Sequence, residues 1–113
     1  MATVTTPQGT FEFNAYDMGT ATWHDKSGVY MFVKQGLSGN EVLYVGLCDS
    51  FKNRFCTHER WDEAVRLGAN SVHAAVVPDT ATREALEKHL IGQFQPTMNT
   101  HHLGGLAGLL RRT

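Results

Sequence analysis

Disulfides, membrane spans and one-sided charge are all missing from this sequence. Two cysteines in 113 residues, Cys48 and Cys56, are too few for a disulfide scaffold. Together with His58 they do not match a usual zinc-ligand spacing. No apolar run approaches the roughly 18 residues that a membrane helix needs, and the N-terminus has no signal-like apolar core. A reducing, cytoplasmic setting and no membrane partner are therefore expected. The net charge is −1, from 10 Lys+Arg against 11 Asp+Glu. That excludes a strongly basic arm wrapping DNA nonspecifically, while leaving room for a compact basic patch. The 42% apolar content fits one globular domain with a modest core.

Residues 1–26 are polar and weakly patterned, apart from the alternation over Thr10–Tyr16, which predicts one half-buried strand. Ser27–Lys34 and Glu41–Gly46 are rich in β-branched and aromatic residues, and the Gly-containing segment between them predicts a hairpin. From Phe51 the pattern turns helical and continues toward Leu67, as one helix or two, before Gly68. Ser71–Val77 reads as a third strand, stopped by Pro78. Asp79–Thr82 offers caps for a helix running to Phe94, and Gln95-Pro96 ends it. The order predicts an α+β domain: a small three-stranded antiparallel sheet flanked by helices, with a possible extra N-terminal strand. Three parts follow: an extension over 1–26, a domain over 27–99 and a tail over 100–113.

The last helix carries an anomaly. At about 100° per residue, Leu86, Leu90, Ile91 and Phe94 define its core-facing stripe. Glu87 and Arg83 fall inside that stripe. A carboxylate there needs a partner, because burying it unpaired costs several kcal/mol. Either Arg83 pairs with Glu87 at i, i+4, or the carboxylate holds a hard metal ion.

Several short motifs then line up. Gly28-Val29-Tyr30 is followed by Tyr44-Val45-Gly46, with the tyrosines fourteen residues apart. Arg54 lies eight residues after Gly46, and His58 follows. Glu87-Lys88-His89-Leu90-Ile91 and Pro96-Thr97-Met98-Asn99 complete the series. This order resembles the GIY-YIG nuclease family over about 27–99. The resemblance implies a helix-flanked sheet with its site on one face of the hairpin. It implies a DNA endonuclease hydrolysing phosphodiesters with one divalent metal, Mg²⁺, for which Mn²⁺ can substitute. It also implies roles: Tyr30 as general base or proton relay, Tyr44 positioning water or phosphate, Arg54 holding phosphate oxygens, Glu87 binding the metal, and Asn99 supporting the site. His58 stands where many members carry a histidine. Leu47-Cys48 departs from the polar residue that often follows the second motif, which removes a phosphate contact.

Lys52, Arg54, His58, Arg60 and Arg66 are interleaved with Glu59, Asp62 and Glu63. They form either a mixed solvated surface or a narrow strip for DNA, with Lys52, Arg54 and Arg60 as the contacts. Such a strip binds weakly, so a homodimer or a partner protein is expected to add affinity. Trp23 and Trp61 read as packing residues, with stacking on an unpaired base as the alternative for Trp61. His73 and the His101-His102 pair read as non-ligands. Two other functions compete: an inactive adaptor of the same fold, and a metal-free interaction domain that pairs through an exposed 11–16 strand edge.

Overall fold

The computed structural model describes residues 2–56 and 58–99. The chain forms strands β1 (Ala2–Thr6), β2 (Gly9–Asp17), β3 (Gly28–Gly36) and β4 (Gly39–Cys48), then helices α1 (Phe51–Cys56) and α2 (Trp61–Arg66). Strand β5 (Ser71–Val76) and helix α3 (Thr80–Phe94) follow. The α+β class stands, but the sheet has five strands rather than three, in the order β1-β2-β5-β3-β4, all antiparallel. The single strand expected before residue 27 is a hairpin, joined to the rest through β2 and β5. Every residue from Phe11 to Tyr16 is already paired, the first three with β1 and the rest with β5. Each residue of the 11–16 segment is thus paired on one side, to β1 or to β5. The proposed tail over 100–113, with His101 and His102, lies outside the described residues. No helix among them is long and apolar enough to cross a membrane.

Strand β3 is buried on both faces over Gly28–Val33. Its alternation sends Tyr30 and Phe32 to one side and Val29, Met31 and Val33 to the other. Leu86 and Leu90 of α3 cover the second side, each fully buried and each worth about 1.5–3 kcal/mol. Phe51 of α1 and Ala64 of α2 cover the first. A bulge where β3 register shifts after Phe32 places Leu43 and Tyr44 together on the Tyr30 side. Without that extra residue, the two would point to opposite faces.

Helix α3 starts at an Asp79 cap whose carboxylate accepts from the Thr82 amide at 2.8 Å. Phe94, expected in its core stripe, is 40% exposed and borders a cavity shared with β1, β3 and β4. Arg83 is buried as expected, but its partner is not Glu87. It donates to the carbonyls of Val77 and Pro78 at 3.0 and 2.9 Å and to Asp49 Oδ1 at 2.9 Å. The i, i+4 pair is therefore excluded. After Gln95, in a left-handed conformation, the chain returns to the outer edge of β4. There Asn99 accepts from the Val45 amide at 2.8 Å and donates to the Val45 carbonyl at 3.0 Å. This fills backbone groups that an edge strand otherwise leaves open.

Candidate active site

Tyr30 and Tyr44 project from neighbouring strands onto the same face, with ring centroids 6.2 Å apart. Gly46 makes room for them. A β-carbon there would stand 2.5 Å from the Tyr30 hydroxyl oxygen and 3.0 Å from the Tyr44 ring. Gly46→Ala therefore pushes the Tyr30 hydroxyl out of place. The expected result is a loss of about 1–3 kcal/mol in stability. Any reaction that depends on that hydroxyl slows at least about tenfold, since small misplacements are costly. Thermal melts and rate measurements on the variant check both.

The break between α1 and α2 turns His58 inward. Its Nε2 lies 2.6 Å from the Tyr30 hydroxyl, and its Nδ1 accepts from the Arg60 amide at 3.0 Å. Burial and the Arg54 charge lower its pKa to about 4, so the ring is neutral near pH 7. A neutral imidazole has one N–H. With Nδ1 accepting, that proton sits on Nε2 and is donated to the Tyr30 oxygen. Tyr30 must then direct its own O–H elsewhere. Burial raises the Tyr30 pKa well above 10, Tyr44 adds to the rise, and Arg54 opposes it. Tyr30 is a protonated phenol at rest.

The lowered His58 pKa also makes a stability prediction. Unfolding lets the imidazole take up a proton between about pH 4 and its ordinary 6.5. The contribution is fully present above pH 6.5 and is lost as pH falls toward 4. The loss is at most about 3 kcal/mol. Chemical denaturation at several pH values should show it, and His58→Gln should flatten it.

Arg54 of α1 lies beside Tyr30, but its guanidinium is held bidentately by Glu59 at 2.9 and 3.2 Å. That pairing raises the Arg54 pKa, and Arg54 in turn lowers Glu59 to about 2. Glu59 is exposed, so a phosphate can compete for the guanidinium without a large desolvation cost. Arg60 lies over the Tyr44 ring at 5.6 Å and pairs with Glu63 at 2.8 Å. Lys52 is exposed on α1 and has no ion pair among the described residues.

Glu87 is half-buried and, among the described residues, has no hydrogen bond or ion pair. Burial raises its pKa, Glu84 adds to the rise, and Lys88 opposes it. Helix α3 packs on the face of the sheet opposite Tyr30 and Tyr44, and Glu87 adds only a minor rise to the Tyr44 pKa, after burial and against Arg54 and Arg60. Asn99 holds the β4 backbone at Val45, next to Tyr44, and supports the site from behind.

Four of the expected side chains thus converge: Tyr30, Tyr44, Arg54 and His58. Glu87 lies on α3, which packs against the other face of the sheet, and Asn99 acts through backbone. No group of three His, Cys, Asp or Glu that could hold a metal occurs among the described residues. A cation here would have Glu87 as its one carboxylate ligand, which suits Mg²⁺ completing its shell with water and substrate oxygens. Cys48 is buried and its thiol is pushed up to about 11, so it packs as a small hydrophobe. Sequence reasoning does not reach the contributions of Glu59 and of the Arg60 amide. The position of Glu59, five residues after Arg54, is the available signal for the first. No family model matches this chain, and no curated protein matches it.

Proposed function

We propose that this protein is a metal-dependent DNA endonuclease of the GIY-YIG kind, which hydrolyses phosphodiester bonds by Tyr30-assisted attack of water. The supporting observation is the convergence of two phenols, a buried imidazole and a guanidinium on one face, together with a half-buried carboxylate, Glu87, that has no partner among the described residues. A packing module has no use for that charge. A divalent ion at Glu87 supplies Lewis-acid stabilisation of the phosphate charge. Arg54 leaves Glu59 and grips two nonbridging oxygens, which its planar fork suits. Tyr44 positions the phosphate. Tyr30, already accepting the His58 N–H, takes a proton from the attacking water as it gives its own O–H proton, through solvent water, to the leaving oxygen. The P–O bond to the leaving group then breaks.

The test is incubation of the chain with supercoiled, branched and single-stranded DNA in Mg²⁺, Mn²⁺ or EDTA. Metal-dependent nicking of at least one substrate is expected. Absence of cleavage on all of them favours a second reading, a binding adaptor of the same fold. The Glu59 clamp on Arg54 is the observation on its side. On either reading the near-neutral charge predicts weak DNA affinity, to be supplemented by a second copy or a partner protein.

A further inference from the structure

The extra N-terminal hairpin builds something beside the catalytic face. On the side shared with Tyr30, α1 and α2 cover β3 and β4 but leave the β2–β5 portion open. There Asn14, Tyr16, Ala74 and Val76 floor a pocket of about 450 Å³, walled by Trp23 and Phe51. That volume lies in the range of small-ligand sites. Val76 is 58% exposed and Tyr16 38% exposed, large values for apolar groups facing a cavity.

The lining combines three chemistries. Tyr16 and Trp23 meet edge-on at 5.1 Å, and among the described residues neither stacks in parallel with another ring. Flat π-surface is therefore available to a guest. The side chains of Asn14, Thr20 and Thr22 have no hydrogen-bond partner among the described residues, so donors and acceptors stand ready. Lys26 and His24 join the rim, and no carboxylate belongs to the described lining. Lys52 follows closely, its amide donating to the His24 carbonyl at 3.2 Å. Aromatic surface, unpartnered polar groups and the Lys26 ammonium match a nucleobase with its phosphate.

The position fits as well. Trp23 and Tyr30 pack on the same Phe55 ring, with centroids at 4.6 and 4.9 Å. One aromatic ring separates the pocket from the candidate site. A stacked strand advances about 3.4 Å per nucleotide, so a base in the pocket belongs to a nucleotide only a few steps from a phosphate at Arg54.

We infer that this pocket binds an unstacked nucleobase, and that the DNA handled at the neighbouring site carries an unpaired strand there. The inference rests on the nuclease reading for the role of the bound strand, but base binding itself is tested without cleavage. In a Trp61→Phe background, Trp23 is the sole tryptophan. Its fluorescence is titrated in EDTA with a twelve-residue oligothymidylate and with a blunt twelve-pair duplex. Saturable quenching by the single strand, stronger than by the duplex, is expected. Tyr16→Ala should weaken it about 5- to 100-fold, in line with loss of one stacked base. Lys26→Glu, at an exposed position, should weaken it and flatten its salt dependence, with circular dichroism unchanged. No quenching, equal quenching by duplex, or wild-type affinity in both variants overturns the inference. Nicking without quenching sinks the pocket and leaves the nuclease. Quenching without nicking on any substrate sinks the nuclease and leaves the pocket.

Discussion

On the nuclease reading, Glu87→Gln is expected to abolish DNA cleavage without weakening the fold. The expected loss in rate is at least about 10²–10³-fold, the scale for removing one preorganised electrostatic group. Stability should stay level or rise. Burial raises the Glu87 pKa, so the ionised carboxylate is disfavoured in the folded chain. Its cost is absent below the ordinary carboxylate pKa, grows as pH rises above that value, and is complete once pH exceeds the raised folded value. Removing the charge near neutral pH relieves that cost. Thermal melts at pH 7.5 beside single-turnover cleavage decide the matter. A fall in stability together with activity would make Glu87 an ordinary structural residue.

Gly28→Ala destabilises the domain strongly. A β-carbon at this position stands 2.0 Å from the Ala75 carbonyl oxygen and 2.6 Å from Phe51. The first neighbour is backbone of the adjacent strand, paired through Gly28 and Val76, so it cannot rotate away. Strand β3 must part from β5 or α1 must lift. A loss of at least about 3 kcal/mol is expected, the upper end for overpacking, or a melting point lower by roughly 12 °C. The same substitution at Gly92 of α3 meets nothing within 4 Å. There it should stabilise by about 0.5–1 kcal/mol through helix propensity. Opposite signs from one chemical change separate close packing from backbone entropy. Equal effects at the two positions would contradict the register of β3 against β5.

Much of this architecture was legible because local pattern and tertiary role agree. The β3–β4 hairpin, β5 and α3 each have a strong period, and their partners bury the faces that the pattern marks. Strand β1 was not legible: Ala-Thr-Val-Thr-Thr has one large apolar residue, and its order comes from pairing with β2. The Arg83–Asp49 contact spans 34 residues, so no local rule reaches it. The stripe of α3 correctly marked Arg83 and Glu87 as misplaced charges, yet only the fold shows which one has a partner. The His58 turn was hidden by a helical pattern that runs on from Phe55 to Trp61. The second pocket needed the N-terminal hairpin and the 18–27 segment together, neither of which has a recognisable motif.

On the nuclease reading, the unpaired Glu87 carboxylate holds a divalent cation. Mn²⁺ titration followed by ¹H–¹⁵N correlation spectra tests this most directly, because the paramagnetic ion broadens only the resonances near it. The account predicts saturable broadening centred on Glu87, Tyr44 and Tyr30, and its loss in Glu87→Gln. Broadening that is absent, centred elsewhere, or unchanged in the variant would contradict it.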